Sequence, residues 1–231
     1  MGTVPETRPV RTCRGDSPRD TYVLGMALRV GTSGWSYPSW RPGFYPDGMQ
    51  PAEFLGFYAR HFDTVELNAT GYRLPSEDQF RRWAEAVPDG FRFAVKLPLQ
   101  RLDRVGPFLE RVVALGDRLG PVRIVSEAAR DEGLISYVEG SVPPQVELAW
   151  DLRHESWAGI GGIVRVSDAA ATPFRYLRLR DPPYSDDDLR AIAATVVDPA
   201  YLYVRHEDEP TAPATAARLK ELLSSPDVVL P

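Results

Sequence analysis

Short apolar runs alternate with segments of helical period along most of the chain. Leu28–Gly31, Thr64–Asn68, Phe91–Leu97, Val122–Val125, Val146–Leu152, Ile163–Ser167, Phe174–Leu179 and Tyr201–Arg205 each read as a strand. Helices are predicted between them. The first covers Pro51–Phe62, with Pro51 in the first turn and Phe54, Leu55, Tyr58 and Phe62 on one face. Ser76-Glu77-Asp78-Gln79 is a capping box that opens a second, with Phe80, Trp83, Ala84 and Val87 inward. Further helices are expected over Val105–Leu119, stopping at Gly120, over Glu127–Val138, from the Ser185 cap to Val197, and over Ala214–Leu223. Repeated βα units predict an α/β fold with a parallel sheet closed as a (β/α)8, TIM-barrel-like barrel.

Two connections break the pattern. His154–Gly162 is Gly-rich without helical period, and only Asp168–Pro173 separates the sixth strand from the seventh. Six extended residues span about 20 Å, barely enough to return along a strand. Eight parallel strands with about six helices are therefore expected, the helices after strands five and six being missing or reduced. Residues 1–25 lack any period and are expected to be a disordered extension, with Met26 an alternative start. Residues 26–231 are expected to form one barrel domain.

Side chains alternate faces along a strand, and four strands show one parity. Val65 and Leu67 oppose Glu66 and Asn68; Phe93, Val95 and Leu97 oppose Ala94 and Lys96. Leu148, Trp150 and Leu152 oppose Ala149, Asp151 and Arg153; Leu177 and Leu179 oppose Tyr176, Arg178 and Arg180. The charged set is predicted to point into the barrel at the strands' carboxyl ends, where such folds build sites. Glu66, Asp151 and Asp168 set against Lys96, Arg153, Arg178 and Arg180 leave one positive charge over, which suits a carboxylate or phosphate ligand. An ion-pair network without a ligand is the competing reading. Glu66 and Lys96 are the candidates for acid and base. Trp35, Tyr37, Trp40 and Tyr72 could supply apolar walls, although such aromatics most often only pack.

The net charge of −5 gives no basic excess for nucleic acid or a membrane surface. A single cysteine, Cys13, allows no intrachain disulfide and fits a reducing, cytoplasmic setting. No apolar run approaches the ~20 residues of a membrane span. Glu66, Asp151, Asp168 and His154 could ligate a divalent metal, but no metal-ligand spacing is present and no cofactor is predicted. His206-Glu207-Asp208-Glu209 reads as a solvated acidic loop.

Residues 31–46 (GTSGWSYPSWRPGFYP), 58–75 (YARHFDTVELNATGYRLP), 82–98 (RWAEAVPDGFRFAVKLP) and 151–157 (DLRHESW) resemble the domain of unknown function 72, or YecE-like, family. The likeness spans about Leu28–Tyr203 and is densest through Pro98. It implies a TIM-barrel-like fold in bacterial or archaeal cytosolic proteins, without an established activity. The family's usual polar positions fall on Trp35, Tyr37, Glu66, Asn68, Tyr72, Lys96, Arg153, His154, Trp157, Asp168 and Arg178. The ends of strands four, seven and eight depart from the family pattern at Val125-Ser126-Glu127-Ala128, Arg178-Leu179-Arg180-Asp181 and Arg205-His206-Glu207.

Three functions compete. The first is binding of a small anionic or sugar-like metabolite by Trp35, Tyr37, Asn68, Tyr72, Asp151, Arg153, His154, Asp168, Arg178 and Arg180, with acid/base work by Glu66 and Lys96. The second is a non-catalytic barrel that binds a ligand or protein, a homo-oligomer included. The third is a divalent-metal isomerase or hydrolase.

Overall fold

The computed structural model of the chain describes residues 28–68, 70, 74–99, 102–143, 146–168, 173–206 and 210–224. The predicted N-terminal extension, Cys13 and Tyr72 lie outside the described residues. The elements run β1 (Leu28–Thr32), α1 (Phe54–Tyr58), β2 (Thr64–Leu67), α2 (Glu77–Glu85), β3 (Arg92–Pro98), α3 (Val105–Val112) and β4 (Leu119–Ser126). They continue with α4 (Glu132–Ser141), β5 (Leu148–Leu152), β6 (Arg175–Leu179), α5 (Asp186–Thr195), β7 (Ala200–Val204) and α6 (Thr211–Ser224).

The strands form two parallel sheets, β2-β3-β4-β5 and β1-β7-β6. The expected sixth strand is reduced to two bridges, Trp150 to Arg165 and Val166 to Tyr176, which join β5 to β6. Gly161 and Gly162 precede this segment, and Ser167 ends it at φ 62°, so too few residues remain extended to build a ladder. Among the described residues no α-helix lies between β5 and β6, as the short connections predicted; a single 3-10 turn, Glu155–Trp157, stands there.

On the other side β1 and β2 meet through a side chain. The Tyr58 hydroxyl accepts from Thr32 N at 2.8 Å and donates to Thr64 O at 3.0 Å. This close approach needs a glycine: a Cβ on Gly31 would lie 2.0 Å from Thr64 O.

Helix ends follow local chemistry. Ser76 accepts from Gln79 N and opens α2, and Ser185 forms a full capping box with Asp188 at α5. The third helix is shorter than expected. It passes into a 3-10 segment, Val113–Arg118, where Gly116 takes φ 54°, so Gly116 rather than Gly120 breaks it. Gly120 lies inside β4, where a Cβ would sit 3.3 Å from Phe93 O. The fourth helix starts at Glu132 rather than Glu127, because Asp131 caps it through Gly133 N. Pro51–Glu53 is a 3-10 turn before the short α1, not part of one long helix.

Trp40 is fully buried with Tyr45 and Phe54, the last two stacked at 3.9 Å. It is core. The barrel interior carries a second apolar layer of Ala94, Ala149, Val164, Phe174, Tyr176, Tyr201 and Tyr203. Ala94 lies beside Glu66 and Ala149 beside Arg123 in the ladders, so small residues leave room for long polar ones. Among the described residues no helix is long and apolar enough to cross a membrane.

Candidate functional site

The inward side chains at the carboxyl ends of β2, β4, β5 and β6 meet in one buried cluster. Glu66 on β2 is 0% exposed. Its Oε2 accepts from the Tyr176 hydroxyl at 2.6 Å and lies 2.8 Å from Arg123 Nε. The Arg123 Nε contact is an ion pair off the line of N–H donation. Glu66 Oε1 takes Arg178 Nη2 at 3.0 Å and Arg123 Nη2 at 3.3 Å.

Arg123, 1% exposed, continues to Asp151 through Nη1 at 2.5 Å and to Asn68 Oδ1 at 3.3 Å. Asp151 also receives Arg180 at 2.9 Å and Arg153 at 3.3 Å, and Arg153 reaches out to Glu127 at 2.6 Å. Burial alone would raise the Asp151 carboxyl. Arg123, Arg180 and Arg153 more than offset this and hold it below its usual value. Burial, and then the Glu66 carboxylate, push the Tyr176 hydroxyl well above the usual tyrosine value.

Two groups in the cluster keep unused capacity. The Arg178 side chain is 10% exposed, and its Nε is buried without a hydrogen-bond partner among the described residues. Lys96 comes from β3, opposite Arg123 in the ladder. Among the described residues no carboxylate forms an ion pair with it. Burial lowers its pKa, Arg123, Arg153 and Arg178 lower it further, and Glu66 opposes them.

A cavity of about 570 Å³ opens beside the cluster, lined by Trp35, Tyr37, Asn68, Arg82 and Trp83 among others. Asn68 belongs to both. Trp35 meets Trp83 edge-on at 5.3 Å, and its carbonyl accepts from the Tyr45 hydroxyl. Tyr37 stacks on His206 at 4.5 Å, and the Ser33 hydroxyl lies 3.3 Å from His206 Nδ1. His206 thus packs at the rim of β1 and β7 rather than standing in the solvated loop expected there.

The structure brings Glu66, Asn68, Lys96, Asp151, Arg153, Arg178 and Arg180 together, with Trp35 and Tyr37 on the adjoining cavity. His154 turns outward, where its Nδ1 accepts from Ser156 N and caps the 3-10 turn. Asp168 lines a separate groove of about 580 Å³ beside Trp150, Ile163 and Phe174. Arg123 is the central residue that sequence reading missed. Its signal was the same parity seen elsewhere, one cation between Val122 and Ile124 in an apolar run. Among the described residues no three His, Cys, Asp or Glu side chains gather as metal ligands; Glu66 and Asp151 turn their oxygens to arginine instead.

Residues 29–168 match the family described as "Protein of unknown function DUF72". The chain belongs to the DUF72 family. The matched stretch contains Glu66, Lys96, Arg123, Asp151 and Arg153, while Arg178 and Arg180 lie beyond it. The UPF0759 protein YecE of Escherichia coli K12 is 31% identical over 147 residues, 58% of this chain and 51% of that protein. The chain thus spans about half the length of the curated relatives it matches.

Among solved structures, a DUF72 family protein from Thermotoga maritima superposes with a TM-score of 0.68 at 22% identity, over 86% of this chain and all of the other. One from Enterococcus faecalis gives 0.66 at 15% identity, over 86% and 96%. A D-psicose 3-epimerase, solved in the presence of D-fructose, gives 0.53 at 8% identity over 86% of this chain and 100% of its own. These likenesses establish the DUF72, TIM-barrel-like fold; at such identities they speak to fold alone.

Proposed function

We propose that this DUF72 barrel binds a small anionic metabolite, a carboxylate or phosphate, at the carboxyl ends of its strands. The observation that carries the reading is the charge balance. Arg123, Arg153, Arg178, Arg180 and Lys96 face Glu66, Asp151 and Glu127, five cations against three carboxylates. The buried core of the cluster is balanced, Arg123 and Arg178 against Glu66 and Asp151, so the surplus sits on the partly exposed Arg153, Arg180 and Lys96, where an anion can reach and complete it. Arg153 and Arg180, about a third exposed at the outer edge of the cluster, supply the donors that a ligand can reach. The cavity lined by Trp35 and Tyr37, which Asn68 joins to the cluster through Arg123, suits the uncharged part of such a ligand.

In this reading Glu66 is a positioning residue. Its two oxygens already take two arginines and a tyrosine, so it holds Arg123 and Arg178 in place instead of accepting a substrate proton. Lys96 is the group left to move a proton. A binding site with a lysine as its single acid or base also accommodates a barrel that binds without turnover.

The test is thermal unfolding of the purified chain with inorganic phosphate, malate and phosphorylated sugars, beside Arg153→Ala. That residue lies at the outer edge of the cluster, so the variant should fold. A ligand at 100 times its Kd adds about 2.7 kcal/mol, a clear rise in melting temperature that the variant should reduce. A panel without any shift, on folded protein, overturns the reading.

A further inference from the structure

Lysine is nearly absent from this chain. Of its 27 basic residues, only Lys96 and Lys220 are lysine and the rest are arginine. Lys220 behaves as an ordinary surface cation, paired with Asp63 at 2.9 Å and bonded to the His61 carbonyl. Lys96 does not. It stands near the carboxyl end of β3, directly opposite Arg123 in the ladder, with no ion-pair partner among the described residues; Arg153 and Arg178 also act on its charge, and Glu66 opposes them. Glu66 is itself saturated by Arg123, Arg178 and Tyr176.

If the position required only positive charge, arginine would serve, as it does at every neighbouring cationic position. An amine differs from a guanidinium in one respect that matters here: it can lose its proton and attack carbon. Crowding by cations and partial burial is the setting that activates a lysine amine as a nucleophile, and the lowered pKa of Lys96 agrees with that setting.

We propose that Lys96 is an amine nucleophile that forms a Schiff base with a small carbonyl compound bearing a carboxylate or phosphate group. The proposal rests on the anion-site reading above, since the arginines beside Lys96 are what would hold the anionic end. The neutral Nζ adds to the carbonyl carbon, forming a C–N bond, while the carbonyl π electrons move to oxygen. That oxygen collects one proton from Nζ and one from solvent and leaves as water, with cleavage of the C–O bond. The iminium that remains keeps one hydrogen on nitrogen, so atoms and charge balance with no other reagent. Such a cation is an electron sink for breaking a bond to the adjacent carbon. Arg153 and Arg180, partly exposed at the edge of the cluster, are the cations within reach of the carboxylate or phosphate.

The test is borohydride trapping on the full chain. The protein is incubated near neutral pH with pyruvate or with dihydroxyacetone phosphate, reduced with sodium borohydride, digested and mapped by mass spectrometry. The two compounds separate the carboxylate from the phosphate source. The expected result is a secondary amine on Lys96 with at least one of them, at several times the occupancy of Lys220. It should be lost in Lys96→Arg, kept in Lys220→Arg, and reduced when inorganic phosphate competes. No adduct on Lys96 with either compound, or one no greater than on Lys220, overturns the proposal. Calorimetry with inorganic phosphate and malate on the same preparation separates the two readings. Anion binding without trapping removes the nucleophile and leaves the anion site; absence of both removes both.

Discussion

Replacing Arg123 by Met measures what the buried cluster contributes to the fold. The change removes a guanidinium that is 1% exposed and keeps much of the apolar stem. Glu66 loses contacts at 2.8 and 3.3 Å, Asp151 loses one at 2.5 Å, and Asn68 loses one at 3.3 Å. Hydrogen bonds to charged groups contribute roughly 1.5–3 kcal/mol each. The loss is not their sum, because Glu66 keeps Arg178 and Tyr176, and Asp151 keeps Arg180 and Arg153.

Breaking a buried pair by deleting one partner costs about 3–5 kcal/mol, and that is the expected effect. Domains of this kind are stable by about 5–15 kcal/mol, so the urea midpoint should fall far, read by tryptophan fluorescence. A cycle with Glu66→Gln isolates the pair. The single losses should exceed the double by about 0.5–3 kcal/mol, because the second change removes the charge that the first left stranded. A loss for Arg123→Met below about 1 kcal/mol, as at exposed pairs, with additive doubles, would refute the view of this cluster as a buried clamp.

Tyr58→Phe should cost about 2 kcal/mol in urea unfolding, since Thr32 N and Thr64 O lose a shared partner in a buried seam; a neutral result would mean that the seam closes without it. Gly31→Ala should fall at or beyond the top of the ~1–3 kcal/mol overpacking range, because its Cβ would meet Thr64 O at 2.0 Å; a fully stable variant, by circular dichroism melting, counters the close approach. A carboxyl whose pKa the fold depresses adds stability that is complete above its unfolded value, about 3.9 for Asp, and lost as pH falls through the folded value. Asp151 is depressed, so urea stability should drop on acidification below about pH 4, and Asp151→Asn should flatten that limb; an unchanged slope contradicts the assignment. Lys96 has the opposite consequence. Its folded pKa is lowered, so folding gains stability as pH rises from that value towards the unfolded value near 10.4. Lys96→Met should raise the melting temperature at neutral pH and remove that alkaline gain; a lower melting temperature contradicts it.

The period of the chain made the layout legible, and strand parity made much of the site legible. Glu66, Asp151 and Arg178 were found inward because residues inside a strand cannot change face without breaking the ladder. Parity stops working where the strand stops. His154 lies beyond β5 and turns out to cap a 3-10 segment. Asp168 follows Ser167, whose positive φ redirects the chain towards the outer groove. Arg123 was within reach of the same rule, but its strand reads as a continuous apolar run, and a lone cation in such a run looks like an edge. The contacts of Tyr58 with Thr32, Tyr203 with Thr64 and Tyr176 with Glu66 join residues distant in sequence, and no local pattern marks them.

The polar cluster also has a mechanical position that explains its composition. Glu66, Arg123 and Asp151 belong to the sheet β2-β3-β4-β5, whereas Tyr176, Arg178 and Arg180 belong to or follow a strand of the sheet β1-β7-β6. Among the described residues, backbone pairing between the sheets is reduced to two isolated bridges on one side, and the Tyr58 hydroxyl spans the other. The contacts Tyr176–Glu66, Arg178–Glu66 and Arg180–Asp151 therefore tie the halves together through the barrel interior. Where an ordinary barrel would continue its ladder and cover it with helices, this one has few backbone bonds among the described residues, and arginine forks with fixed geometry serve as cross-links. That use consumes the carboxylates and fixes Arg123, Arg178 and Arg180. It does not consume Lys96, which comes from the middle of one sheet and forms no ion pair across to the other among the described residues. Under the proposal for Lys96, cross-linking and chemistry fall on different residues of one cluster, so Arg123 variants should change stability first and Lys96 variants should change reactivity first.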